Sequence, residues 1–397
     1  MIAASERLDR LVDTNKASLI YQVLETANLE SDLLDAKQVD SAGLIRFLRC
    51  KGGAFYCYAN TKEPLKTFRS LWTLTVQQMF PSMAYVDSLS FGESLPIALD
   101  AAHGNMAADR NSPSIKLPFA TAPTKRYSRT GKVSVPMSSL ANKAAMKKEL
   151  VDGDFTNSFD MDTEHHRQAY QAQQMRTSAA LQNKFTPQGL EAIRFPINLD
   201  DEFEFSTKEL DLSKAQREAS KDIALIHIDG NGLGILLMAL RSALDNKDEH
   251  TYRYAFRLFS NSLNKATEIA AKKATQYIYD NARYTYKNTT MLPMRPIVLG
   301  GDDITLLCRA DLALEFSQIF CKEFKSASEI EMKELFNTYL SNYQNEAKQS
   351  DGGTPLKEYL TASGGILYHK AGHPFTHSRH LVEDLCARAK KLTKAVN

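Results

Sequence analysis

Three aspartates and the glycines beside them are the residues of this chain whose types and spacing could do chemistry. Asp229 ends the apolar run Ile223-Ala224-Leu225-Ile226-His227-Ile228 and leads into Gly230-Asn231-Gly232. Asp302 and Asp303 follow Gly300-Gly301, between the short apolar runs Ile297-Val298-Leu299 and Ile304-Thr305-Leu306-Leu307. Carboxylates that end neighbouring strands can converge at one edge of a sheet. Mg²⁺ favours one or two carboxylates together with water and phosphate oxygens. Two such ions about 3.5–4 Å apart can activate an attacking hydroxyl and stabilise a leaving pyrophosphate. Glycine lets a triphosphate approach the backbone closely, and N–H groups at a helix start can receive it. Gly and Asp are also ordinary turn residues, so Gly-Gly-Asp-Asp alone is equally a plain hairpin. The acid on the preceding core strand is what a plain turn would not require.

The elements that must position these groups follow from periodicity. The run 223–228 reads as a buried strand, and Leu233 to Leu244 as a helix. Tyr252, Phe256, Phe259, Leu263, Ala266, Ala270, Ala274 and Tyr277 recur every three or four residues, one apolar stripe of a longer helix. Pro293 and Pro296 end that helical region, and the two runs around Gly300-Gly301 read as a β-hairpin. Helices are expected at 311–325 and 327–347, an exposed loop at 349–355 and a strand from Tyr359 to Tyr368. A last helix opens at Pro374, with Leu381, Leu385 and Ala389 as apolar positions. The order β-α-α-β-β-α-β-α predicts an antiparallel or mixed sheet with helices on one face, in the ferredoxin-like manner.

The N-terminal part holds a fainter copy. Leu44–Leu48 leads through Gly52-Gly53 into Ala54–Tyr58, and then to Leu65, Phe68 and Leu71. Their offsets from Gly53 equal those of Ala313, Phe316 and Ile319 from Gly301, which argues for a duplication. Ala54 and Phe55 stand where the later copy has Asp302 and Asp303, so the first copy lacks the acids. The fold class is therefore read as α+β, with two ferredoxin-like palm domains, the first degenerate and the second catalytic. The domains are placed at 1–95 (degenerate palm), 96–220 (helical and loop-rich connector) and 221–397 (catalytic palm).

Composition narrows the class without naming it. Lys and Arg number 49 against 47 Asp and Glu, and 43% of residues are hydrophobic, which excludes a disordered or collagen-like chain. The net charge of +2 makes no demand for nucleic acid. Five cysteines without C-x-x-C spacing indicate neither a disulfide framework nor a zinc ribbon. Charges interrupt the first ten residues, and no run of about 18 apolar residues occurs, so a cytoplasmic protein without a membrane partner is expected.

Ile228-Asp229-Gly230-Asn231-Gly232-Leu233-Gly234, Gly300-Gly301-Asp302-Asp303, Thr361-Ala362-Ser363-Gly364-Gly365-Ile366 and Ala389-Lys390-Lys391 resemble the palm polymerase/cyclase domain of the large subunit of type III CRISPR effectors. More distantly they resemble GGDEF-type diguanylate cyclases. The resemblance is specific over about 221–394. It implies synthesis of cyclic oligoadenylate messengers from ATP or other nucleoside triphosphates with Mg²⁺ or Mn²⁺. Asp229, Asp302 and Asp303 would be metal ligands, Asp302 and Asp303 catalytic, and Gly230, Asn231, Gly232, Gly300 and Gly301 nucleotide contacts. Ser363 would meet the adenine edge and Lys390 a phosphate. RNA, CRISPR effector subunits or a second copy of the chain are the partners it implies. The chain departs from the family in having no His-Asp dipeptide and no paired zinc cysteines between the palms. A further strand or helical domain would be expected beyond Asn397. A diguanylate cyclase usually has a second acid two residues after the first, where this chain has Asn231, so an adenine or mixed product is expected. A viral RNA polymerase carries a second Asp five residues after the first, where Gly234 stands. A catalytically silent nucleotide- or RNA-binding scaffold is the alternative from another class.

Weaker signals have plainer readings. His369, His373, His377 and His380 are interrupted by Gly372 and Pro374, which favours solvated or capping roles. His227 shares a strand face with Asp229, as either a nucleotide neighbour or a hydrogen-bonded core histidine. Asp152, Asp154, Asp160, Asp162 and Glu164 lack the glycine and terminal Glu of a calcium loop. The basic run Lys125–Lys132 reads as a charged loop and Cys308 as a core residue.

Overall fold

The computed structural model describes residues 7–35, 41, 43–51, 53–81, 83–111, 124–127, 131–134, 159–166, 180–196, 199, 202–205, 221–245, 247–349 and 356–396. The fold is α+β. The chain divides into two compact units, one of Arg10–Phe47 with Tyr56–Thr177, the other of Met1–Asp9, Leu48–Phe55 and Ser178–Asn397.

The smaller unit begins with α1 (Leu19–Thr26), whose first turn is capped by Ser18 Oγ accepting from Tyr21 N. The hairpin-linked strands β1 (Arg46–Lys51) and β2 (Ala54–Tyr58), of which Leu48–Phe55 belong to the larger unit, follow, then α2 (Lys62–Met79) and α3 (Leu95–Asn111). Phe47 packs edge-on against Phe68 at 6.5 Å between centroids, and Phe68 against Trp72 at 6.2 Å. Phe68 and Phe316, matched in the two halves of the sequence, are both buried, but exposed Leu71 answers half-buried Ile319. The strand pair β1–β2 is the extent of the first sheet among the described residues. Gly52 and most of the expected connector, with Asp152 and Asp154, lie outside the described residues.

The larger unit carries α4 (Ala180–Phe185), β3 (Asp222–Asn231), α5 (Leu233–Ala243), α6 (Glu249–Ala282), β4 (Tyr284–Tyr286), β5 (Thr289–Met291), β6 (Met294–Gly300), β7 (Asp303–Arg309), α7 (Ala313–Glu331), α8 (Ser341–Gln349), β8 (Thr361–Lys370) and α9 (Phe375–Val396). Its sheet has the order β6-β7-β3-β8, with β7 and β8 antiparallel to β3 and β6 antiparallel to β7. Pro296 is tolerated because β6 is an edge strand, and a bulge between Pro296 and Val298 absorbs it. β6 begins earlier, at Met294, than the apolar run from Ile297 indicates, whereas β8 begins later, at Thr361, than the expected Tyr359.

Two details differ from the sequence expectation. The strand pair β4–β5 is unanticipated: its turn is Lys287-Asn288, both with positive φ, and carries no glycine to announce it. The helices also do not share one face. Ile223, Leu225, Leu307 and Leu367 pack with Val382 of α9 and with Phe203 and Phe205. Ala224, Ile226, Ile228, Leu306 and Cys308 point to the other face and are fully buried there, the side of the crossover helices α6 and α7. Both faces of β3 are covered because α9 turns back beneath the sheet. The buried stripe of α9 is Val382 and Cys386, whereas Leu381 and Leu385 are 49% and 36% exposed.

Candidate functional site

Period-2 alternation puts Ile223, Leu225, His227 and Asp229 of β3 on one face, apolar first and polar at the strand's end. Asp229 is opposite Asp303 of β7 on one side and Ser363 of β8 on the other. Gly300 pairs with Asp303, leaving Gly301-Asp302 as a two-residue turn in which Gly301 has φ +64°. That conformation is cheap for glycine and strained for other residues. Buried Thr267 of α6 anchors the turn by donating to Gly301 O at 2.6 Å.

Gly230 is required by the acids themselves. Its N–H donates to Asp302 O at 3.2 Å, and a methyl group there would stand 2.8 Å from Asp302 Cβ and 3.0 Å from Oδ2. Asp302 thus folds back over the end of β3. Gly232, with φ +81°, then turns the chain into α5.

The last helix adds a cation. A methyl group on Gly365 would be 2.5 Å from Val382 O and 2.8 Å from Cys386 N, so α9 rests directly on the strand. Val382, Cys386 and Lys390 are four residues apart and follow one face of the helix. Cys386 Sγ donates to Ser363 O at 3.2 Å. One turn on, Lys390 Nζ donates to the Asp229 carboxylate and, at 2.9 Å, to Gly230 O. Thr393 approaches Ser363 Oγ at 3.2 Å. Asn231 Nδ2 donates to Thr361 Oγ1 at 3.1 Å and to Ser363 Oγ at 2.9 Å.

Electrostatics single out the pair at the turn. Burial, then the hydrogen-bonding and like-charged Asp229, pushes Asp302 up to about 7. Burial, then the charges of Asp229 and Glu383, does the same to Asp303, against the opposing pull of Arg379 and Lys390. Asp303 Oδ1 is buried and accepts no hydrogen bond among the described residues, although His227 Nδ1 is 3.2 Å away. The rest of that carboxylate is open, the side chain being 41% exposed. His227 instead meets Thr305 Oγ1 at 3.0 Å, and burial lowers its pKa.

The sequence-predicted Asp229, Asp302, Asp303, Gly230, Asn231, Gly300, Gly301, Ser363 and Lys390 all gather at this end of the sheet, with Gly232 at the helix start. Ser363 is 7% exposed and tied to Asn231 and Thr393, and Lys390 grips Asp229. Thr267 and Arg49 were not legible. Arg49 Nη2 lies 3.9 Å from where a side chain on Gly301 would begin, and no motif marks that arginine.

Among the described residues no three His, Cys, Asp or Glu side chains form a ready-made metal cage. Asp229, Asp302 and Gly230 O nevertheless fit the partial oxygen site that Mg²⁺ takes when water and phosphate complete its shell. The orphaned oxygen of Asp303 adds an unsatisfied acceptor.

The other signals resolve as structural. His369 and His373 rings stand 5.5 Å apart, and His380 lies 3.9 Å from Glu383 instead. Cys308 is buried with its thiol pushed far up by burial, a core residue. Asp160 caps Thr163 N at 3.1 Å. Of the basic run, buried Tyr127 meets Phe159 at 5.4 Å, while 128–130 lie outside the described residues.

No family model matches the chain, and no curated protein does. Solved structures do. Csm1 from T. onnurineus is similar at 13% identity, with 98% of this chain and 47% of that one covered and a TM-score of 0.43. A Csm1–Csm4 cassette in complex with AMPPNP gives 14%, 97%, 50% and 0.40. The diguanylate cyclase SiaD, in complex with its activator SiaC from Pseudomonas aeruginosa, gives 10%, 45%, 50% and 0.23. The chain spans half or less of the length of each.

Proposed function

We propose that the protein is a metal-dependent nucleotidyltransferase that makes cyclic oligonucleotides from ATP, serving CRISPR-like antiviral signalling. The observation that carries this reading is the meeting of Asp229, Asp302 and Asp303 at one end of β3 and β7, on a glycine-built backbone. The four-stranded sheet would be the catalytic palm, and the β1–β2 hairpin the remnant of a degenerate one.

In the reaction a ribose hydroxyl forms a bond to the α-phosphorus of ATP, the bond to the β-phosphate oxygen breaks, and pyrophosphate leaves. Asp229, Asp302 and Gly230 O would hold Mg²⁺ or Mn²⁺, which when bound would supply Lewis-acid activation of the hydroxyl and charge neutralisation of the leaving group. Asp303 stands beside them with one oxygen open and would take up the hydroxyl proton. Gly232 and Gly301 leave room for the phosphates, and Lys390 and Arg49 supply positive charge toward them. Asn231, braced by Thr361 and Ser363, stands next to Asp229 as a polar contact for the sugar or base.

Calorimetry with α,β-methylene ATP, which cannot release pyrophosphate, tests the binding half of this reading. Binding that requires Mn²⁺ and weakens at least about tenfold in Asp302→Asn supports it. Binding indifferent to metal and to that substitution contradicts it.

A further inference from the structure

Lys390 is half-buried against half-buried Asp229, and both oxygens it contacts belong to the acid-bearing end of β3. We propose that Lys390 is a built-in substitute for the site's cation: its ammonium holds Asp229 Oδ2 and Gly230 O, the oxygens a divalent ion would take, so metal entry must displace it.

The inference rests on the metal-dependent reading above and concerns how the same site is kept closed. Asp229 and Asp302 are near enough to share a hydrogen bond, and Asp303 is opposite Asp229 in the ladder. Such a group of carboxylates needs a compensating cation in any state without metal. Among the described residues, the other charged or titratable groups that bear on it are His227, Glu383, Arg379 and Cys386, with Arg49 beside the turn at Gly301. His227 is engaged by Thr305 Oγ1 at 3.0 Å, and Arg379 is held at 2.8 Å by Glu383 on its own helix. Lys390 is the ammonium in direct contact. Its side chain is a long flexible stem bearing a compact charge, so it can leave the two oxygens and still lie within reach of an incoming phosphate. Metal and nucleotide then enter together, because the phosphates offer the displaced ammonium a new partner.

The test is Mn²⁺ binding to the full chain without nucleotide, by calorimetry or by loss of the free-ion resonance signal. Lys390→Met removes the charge and keeps most of the stem; it is expected to bind Mn²⁺ at least about tenfold more tightly than the parent protein, while Lys390→Arg stays near the parent. Thermal melting of each variant checks that it is folded. Unchanged or weaker Mn²⁺ binding by folded Lys390→Met overturns the proposal. The calorimetry with α,β-methylene ATP on the parent protein separates the two claims. If the parent binds that nucleotide with metal and Lys390→Met gains nothing, the substitution idea fails alone. If the parent binds no nucleotide but Lys390→Met gains Mn²⁺ affinity, the transferase reading fails and the lysine's role stands.

Discussion

Asp302 and Asp303 hold their charge at a cost to the fold, since burial and the nearby Asp229 carboxylate push both up to about 7. An ordinary aspartate titrates near about 3.9. Between those values the folded state binds more protons than the unfolded one, so stability falls as pH rises through this window. Asp302→Asn removes that penalty. Its melting temperature in metal-free buffer is expected to exceed the parent's on the order of 2–4 °C at pH 8, with the gain gone at pH 4. A gain of equal size at both pH values would contradict the electrostatic account. The aspartates were legible because a strand end and a hairpin turn both carried acids next to glycines. What Lys390 holds was not, because a motif match reports residue types and not which oxygen a flexible amine selects.

At the scale of elements, α9 decides whether the lysine reaches the acids. Gly365 lets the helix backbone sit against β8, and Val382, Cys386 and Lys390 follow along the contact line. Gly365→Ala is expected to lift α9, destabilising the fold by about 1–3 kcal/mol. Denaturant unfolding measures that, and metal-dependent turnover is expected to fall on the order of a hundredfold with it. Unchanged stability and turnover would mean that the helix has room the structure does not show. The sequence made α9 a helix with Leu381, Leu385 and Ala389 as apolar positions, and the structure buries Val382 and Cys386 while leaving Leu381 and Leu385 exposed. Periodicity finds a helix more readily than its facing, and here facing is set by a glycine on another element. The hairpin at Gly300-Gly301 was read correctly, whereas Lys287-Asn288 was missed because its positive φ angles fall on two non-glycine residues, one of them a lysine.

At the scale of the molecule, the larger unit takes in Leu48–Phe55 of the N-terminal half together with Ser178–Asn397, and so brings Arg49 beside Gly301. The expected duplication rests on matched glycine-to-helix spacings, and a spacing does not say that Leu48–Phe55 joins the compact unit of Ser178–Asn397. No helix among the described residues is long and apolar enough to cross a membrane. The most direct test of the central claim is to incubate the full chain with ATP, and with all four nucleoside triphosphates, in Mg²⁺ or Mn²⁺ and to identify the small products by mass spectrometry. An oligonucleotide and pyrophosphate that appear with the parent protein and are absent with Asp302→Asn/Asp303→Asn are the result this account predicts. Product formation that survives loss of both acids, or none with the parent protein under any of these conditions, would contradict it.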